Sequence, residues 1–267
     1  MISNINHVKK VMGDLSAKKK YGQNFLIDSN IVDKIAKIAC DSNCLTIEIG
    51  PGLGALTEML LKYSKAVDAY EIDKDMYNIL LDSITDERLS AYLEDFLDTD
   101  LNKYVDQELR VCSNLPYYVT TPILFKLFES SLNITKITVM VQREVADRFN
   151  AKVNSEDYSA LSIIVQYLYD VKYEMSIPKN VFYPAPKVDS AVISFTPKVE
   201  RDAEFEKKLF GLIKNSFAMR RKTLHNNFIQ FLDKETIEKI YSDLHFDKNV
   251  RAQELTLSDF LKINELL

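Results

Sequence analysis

Leu45-Thr46-Ile47-Glu48-Ile49-Gly50-Pro51-Gly52-Leu53-Gly54 is the stretch on which the fold of this chain turns. A short apolar run closed by glycine reads as a strand buried on both faces, as in a parallel sheet. The glycines let the backbone come close to a ligand, and a helix beginning after Gly54 would offer its free amides to the same ligand. The pattern is a nucleotide-type cradle, with Glu48, Gly50, Gly52 and Gly54 as candidate cofactor residues. Alone it is ambiguous, because Gly50-x-Gly52-x-x-Ala55 also meets the loose dinucleotide fingerprint.

Working outward, strand-like runs recur at Ala66–Ile72, Leu89–Leu93, Leu109–Ser113, Ile137–Val141, Val171–Ser176 and Ala191–Phe195, with helical spacing between most of them. This is α/β organisation: a mostly parallel sheet covered on both faces, with ligands at the carboxyl ends of its strands. The last two runs, separated only by the Pro178–Pro186 stretch, are expected to form an antiparallel hairpin at one edge. Beyond Pro197 only helices are expected, with Phe205, Leu209, Leu212 and Ile213 at core spacing. The expected division is therefore a first domain over 1–199 and a small all-helical domain over 200–267.

The strand ends converge on one cleft. Glu71 closes the second run, 21 residues beyond Gly50, where a carboxylate can accept both ribose hydroxyls of a nucleotide. Asp95, after the third, can accept from an adenine amino group, and Asn114 follows the fourth. For Glu71 and Asp95 the plainer alternative is a surface carboxylate capping a helix.

Asn114-Leu115-Pro116-Tyr117 suits chemistry on an adenine amine, whose lone pair is delocalised into the ring. The side-chain oxygen of Asn114 and the main-chain carbonyl of Leu115 can each take one amine hydrogen, which draws nitrogen toward tetrahedral geometry and frees the lone pair. Pro116 stiffens the turn, and Tyr117 offers a flat face to an extruded base. The competing reading is a loop asparagine that caps a helix, with Tyr117 as rim packing.

Composition bounds the class. With 267 residues, 46% hydrophobic and 27% charged, the chain can bury a sizeable core, and its apolar runs are too short to span a bilayer. No signal-peptide pattern opens it, so the cytoplasm is the expected location. Cys40, Cys44 and Cys112 are odd in number and mostly apolar in setting, which suits reduced thiols and offers no second ligand pair for a metal. The net charge of −5 argues against wholesale coating of nucleic acid. Two basic clusters stand against that average: Lys18-Lys19-Lys20, and Lys207 to Lys222 with Arg220 and Arg221 and no acidic residue. Such faces can follow phosphates, although a solvated helix face gives the same pattern.

Tyr21-Gly22-Gln23-Asn24-Phe25-Leu26, the Glu48–Gly54 loop, Asn114–Tyr118, Val141–Arg148, Phe182–Ser190 and Arg220–Leu224 together resemble the KsgA family of ribosomal RNA adenine dimethyltransferases over nearly the whole chain. The resemblance implies a Rossmann-like, S-adenosyl-L-methionine-dependent methyltransferase sheet with a small helical domain. It implies that the enzyme dimethylates the N6 amines of two adjacent adenosines in a hairpin near the 3′ end of small-subunit (16S) rRNA during ribosome assembly. By the same resemblance Asn24 and Leu26 lie over the cofactor, Gly50 approaches its methionine part, Glu71 its ribose and Asp95 its adenine. Asn114, Leu115, Pro116 and Tyr117 hold the target amine, and Phe182, expected as an exposed ring in a proline-stiffened loop, closes the other face of the base, with plain core packing as the alternative. The residues assigned to rRNA are Lys18, Lys19, Lys20, Arg143, Arg220, Arg221 and Lys222, on a monomer that needs no metal. Two other readings stay open: a large-subunit rRNA adenine methyltransferase of the macrolide-resistance type, and a non-catalytic assembly factor on the same scaffold. A nicotinamide oxidoreductase would leave Asn114–Tyr117 without a purpose.

Overall fold

A computed structural model of the protein describes residues 5–13, 22–198 and 202–267. The chain divides into two compact units, the first formed by Met1–Ala146 with Lys172–Pro197 and the second by Asp147–Val171 with Lys198–Leu267.

The first unit follows the alternation read from the sequence. After α1 (Ile5–Met12) and a two-residue strand β1 (Phe25–Leu26) come α2 (Ser29–Ala39), β2 (Leu45–Ile49), α3 (Ala55–Tyr63), β3 (Ala66–Glu71), α4 (Lys74–Ser83), β4 (Leu89–Leu93), β5 (Glu108–Asn114), α5 (Thr120–Glu129) and β6 (Asn133–Gln142). The chain then passes through α6 (Arg143–Phe149) and α7 (Ala160–Leu168) to β7 (Tyr169–Ile177), β8 (Phe182–Tyr183) and β9 (Ser190–Pro197). The main sheet has the order β4-β3-β2-β5-β6-β9-β7. β2 to β6 are parallel to one another, and β9 runs antiparallel to β6.

From β2 the strand order grows first toward β4 and then, after β5, toward the other edge. Loops leaving β2 and β5 therefore diverge to opposite faces, and a crevice opens between them at their carboxyl ends. The central strands are apolar because both faces are covered: Ile47, Val111, Cys112 and Val139 are fully buried. Helices start where side-chain acceptors precede them. Asp28 accepts from the N–H groups of Asn30 and Ile31 at the head of α2, and Asp73 from Asp75 at the head of α4. Each such cap is worth about 1 kcal/mol.

β2 and β4 have the expected limits, whereas β6 begins four residues earlier than its apolar run. The extension pairs with the start of β5 through a register shift between Leu109 and Arg110, which polar Asn133 and Thr135 do not advertise in sequence. The two expected hairpin strands, β7 and β9, are neighbours at that edge of the sheet. Unforeseen is the small antiparallel ribbon of β1 and β8, which pairs Phe25 with Tyr183 and Leu26 with Phe182.

In the second unit α7 packs with α8 (Ala203–Ser216) and α11 (Leu257–Glu265); α9 (Leu224–Phe228) and α10 (Lys234–Asp243) lie between α8 and α11 in sequence. Leu209, Ile213, Phe260 and Ile263 are fully buried, whereas Phe205 is only half-buried. Phe217 stacks on Phe260 with centroids 6.2 Å apart, and the Tyr158 hydroxyl donates to the Leu255 carbonyl at 2.9 Å. The grouping differs from a cut at residue 199/200 by its start at Lys198 and by the segment Asp147–Val171, which joins the helices. The physical reason is α7, whose Leu161, Ile163, Ile164 and Val165 are all buried, so it needs cover on more than one side. Among the described residues, no helix is long and apolar enough to cross a membrane.

Candidate active site

A cavity of about 360 Å³ opens in the first unit at the carboxyl ends of β2, β3 and β5. That volume falls within the range for small-molecule and cofactor sites. Its walls come from Gly22–Leu26, the β2–α3 loop, the end of β3, Glu94–Phe96 and the turn after β5.

The β2–α3 loop is shaped by glycines. Gly54 caps α3 at φ 83°, and a Cβ there would lie 2.8 Å from Leu80 Cδ1 and 2.9 Å from Ile84 Cδ1. Gly52, at φ 56°, donates its N–H to Glu71 Oε2 at 3.0 Å. The other oxygen of Glu71 accepts from the Asp73 N–H at 2.9 Å. The carboxylate is thus held at the cavity wall with one acceptor position per oxygen used. Burial raises its pKa, opposed by the two amides. Gln23 donates to Asp73 Oδ2 at 2.8 Å, which ties the Gly22–Leu26 segment to the end of β3. Asp95 also lines the cavity, where its Oδ1 accepts from the Leu97 N–H at 2.9 Å.

Glu48 lies on β2, only 1% exposed, and its Oε2 has no partner among the described residues. Burial pushes its pKa up to about 8, opposed by the neighbouring Thr57 hydroxyl and reinforced by the nearby Glu71 carboxylate.

The turn after β5 meets the Gly22–Leu26 segment directly. Asn114 Nδ2 donates to the main-chain carbonyl of Asn24 at 3.2 Å, while Asn24 Nδ2 donates to Gly22 O at 2.9 Å. Because a carbonyl requires a donor opposite it, Oδ1 of Asn114 is the atom turned away to accept. Leu115 is buried and anchored by its N–H to Met140 O at 3.1 Å. The Pro116 carbonyl receives both the Val119 N–H and the Thr120 hydroxyl. Tyr117 is half-buried with its hydroxyl 2.9 Å from Ser190 Oγ, and burial raises the phenol's pKa.

The expected site residues therefore divide. Asn24, Leu26, Glu48, Gly50, Gly52, Glu71, Asp95 and Asn114 to Tyr117 all line one cavity, with Gly54 closing the loop behind it. The exposed placement of Phe182 is corrected: the ring is 3% exposed and sits in the core cluster with Leu26, Met140 and Val192. Pairing of β8 with β1 draws it beneath Leu26, so the ring offers no open face to a base. Arg143 is exposed at the head of α6, and Arg220, Arg221 and Lys222 are exposed in the second unit, where Arg220 also donates to the Glu156 carbonyl. Lys18, Lys19 and Lys20 lie outside the described residues. Unassigned from sequence were Tyr70, Ile72 and Phe96 in the cavity wall and Ser190 behind Tyr117. Phe96 and Ile72 directly follow the two carboxylates, which was the available signal.

The model for the family described as ribosomal RNA adenine dimethylase matches residues 14–267. The chain belongs to that family. It is a methyltransferase dependent on S-adenosyl-L-methionine, and the cavity fits that donor: a glycine cradle, an anchored carboxylate with spare acceptor positions and an aromatic-lined far wall. A relative from Mycoplasmopsis pulmonis, named ribosomal RNA small subunit methyltransferase A, is 43% identical over 92% of this chain and 97% of its own length. One of the same name from Bacillus licheniformis is 43% identical, covering 94% of this chain and 91% of that one. Among solved structures, a dimethyladenosine transferase from Plasmodium falciparum superposes with TM-score 0.73 at 26% identity, over 90% of this chain and 95% of that one. The 23S rRNA methyltransferase ErmE shares the fold at TM-score 0.65 and 20% identity, over 91% and 99% of the two chains.

Proposed function

We propose that this enzyme dimethylates the N6 amines of two adjacent adenosines in a hairpin near the 3′ end of small-subunit rRNA, acting in the cytoplasm as a monomer on the assembling subunit. The observation that carries the reading is the bond from Asn114 Nδ2 to the Asn24 carbonyl, which leaves Asn114 Oδ1 as an acceptor at the donor cavity. The names of the small-subunit relatives support the choice of rRNA.

The bound donor supplies an electrophilic methyl group. Asn114 Oδ1 and the Leu115 carbonyl accept the two hydrogens of the adenine amine and aim its lone pair in line with that methyl. Pro116 keeps the two acceptors in fixed relation, and the ring of Tyr117 stacks on the extruded base, a contact worth about 1–3 kcal/mol. The new N–C bond forms as the donor's sulfonium–methyl bond breaks, with the thioether S-adenosylhomocysteine as leaving group, and the surplus proton leaves the amine to water. For a second round the pocket must accept the monomethylated amine, which still offers one hydrogen. Glu71 holds the ribose of the donor and Asp95 its adenine. Arg143, Arg220, Arg221 and Lys222, with Lys18, Lys19 and Lys20, contact RNA phosphates, which suits A-form helices whose deep groove hides the bases.

The test is transfer of labelled methyl to undermethylated small and large subunits, with the product nucleosides identified. N6,N6-dimethyladenosine in the small subunit is expected, and label confined to the large subunit overturns the assignment.

A further inference from the structure

Lys126 lies on α5, outside every motif read from the sequence, yet its ammonium serves the wall of the donor cavity. Nζ donates to the main-chain carbonyls of Leu97 at 2.7 Å and Thr99 at 2.6 Å. It also lies 5.5 Å from the ring centroid of Phe96, which is 3% exposed and meets Tyr70 edge-on at 5.4 Å. Phe96, Tyr70 and Asp95 all line the cavity.

The Asp95–Thr99 turn has bonds of its own. Asp95 Oδ1 takes the Leu97 N–H, and its main-chain carbonyl takes the Asp98 N–H and the Thr99 hydroxyl. Those bonds do not use the carbonyls of Leu97 and Thr99, and one ammonium gathers both. An ammonium is a donor with three hydrogens and no acceptor, so it can serve both carbonyls at once, which a hydroxyl with its single hydrogen could not. Burial draws the Lys126 pKa below the usual lysine range, opposed by Asp98, Glu94, Asp95 and Asp100 around it. The same helix begins directly after the Asn114–Tyr117 turn, where Thr120 holds the Pro116 carbonyl at 3.0 Å, and its Ile123 lines the cavity. One helix thus carries the acceptor turn at its head and the Asp95 turn near its end.

We infer that Lys126 is a positioning residue for the methyl donor, clamping the Asp95–Thr99 turn to α5 so that Asp95 and Phe96 present a fixed wall to the donor's adenine. The inference rests on the reading of Asp95 as the adenine-side residue, and the experiment separates the two.

S-adenosylhomocysteine is titrated calorimetrically into the full-length wild type, Lys126→Met, Lys126→Arg and Asp95→Ala, with steady-state methyl transfer and thermal melting measured on each. Lys126→Met is expected to raise Kd about tenfold and KM for S-adenosylmethionine in parallel, with kcat and KM for RNA within about twofold. Lys126→Arg, which keeps a charged donor at that reach, is expected to restore binding to within about threefold of wild type. Weakened binding in Asp95→Ala with unchanged binding in Lys126→Met overturns the Lys126 inference alone. Unchanged binding in Asp95→Ala removes the reading beneath it. A Lys126→Met protein that melts earlier but binds normally, or whose loss falls on kcat, also overturns the inference, since a mere brace for the fold gives the first and a group in the methyl-transfer step the second.

Discussion

The hydroxyls of Tyr117 and Ser190 lie 2.9 Å apart across 73 residues of chain. Ser190 is fully buried at the start of β9, so the end of an antiparallel strand sets the angle at which the Tyr117 ring faces the cavity. Ser190→Ala removes that tether and leaves the ring in place. Transfer is expected to fall about threefold to tenfold, matching one neutral hydrogen bond, with S-adenosylhomocysteine affinity within about twofold. An equal loss in cofactor affinity would show that the tether acts on the donor instead.

Asn114→Ala deletes the acceptor that would take an amine hydrogen. Methyl transfer is expected to drop at least about a hundredfold, the scale for one preorganised polar contact in a transition state. Affinity for the donor should fall little, because the turn is also anchored by the Leu115 N–H on Met140. Single-turnover transfer beside calorimetry on the same preparation separates the two quantities.

Glu48 gives a signature in stability against pH. Its folded pKa, raised to about 8 from 4.5, means that the native protein binds a proton more tightly than the unfolded chain. Its contribution is therefore complete below the unfolded value and lost as pH rises through the folded one. Between pH 6 and 9, melting of the wild type should fall faster than that of Glu48→Gln, which keeps a neutral group beside Thr57. Parallel curves for the two proteins would contradict a buried protonated carboxyl.

Gly54→Ala meets two obstacles at once, a positive φ and side chains of Leu80 and Ile84 closer than 3.0 Å to the new Cβ. The backbone cost alone is about 1–2 kcal/mol. A lower denaturant midpoint and weaker S-adenosylhomocysteine binding are expected together, because the same residue caps α3. A stable variant that binds normally would mean that the loop relaxes freely.

Arg221→Glu should weaken RNA capture while leaving the donor cavity untouched, since Arg221 is exposed in the second unit. Binding isotherms across a salt series are expected to show a shallower slope, by about one counterion for the lost contact and more for the added charge. Unchanged affinity and slope would remove Arg221 from the RNA footprint.

What the sequence determined by itself was the sheet and the cavity's floor. Parallel strands covered on both faces must be apolar along their length, and a ligand loop at a strand's end needs glycine; Leu45–Gly54 meets both demands within one local stretch. Glu71, Asp95 and Asn114 were readable as cavity residues from the same pattern, each being a polar residue at or just beyond the end of a strand-like run. Only the tertiary structure decided what lies behind that floor. Phe182 sank into the core beside Leu26, and Lys126, which no motif covers, reached in to two main-chain carbonyls. Asp147–Val171 joined the C-terminal helices, and Ser190 reached Tyr117, through contacts between residues distant in sequence. Periodicity reports the face a residue presents to its own element; burial and partnership are set by whichever element arrives opposite, which no local pattern encodes.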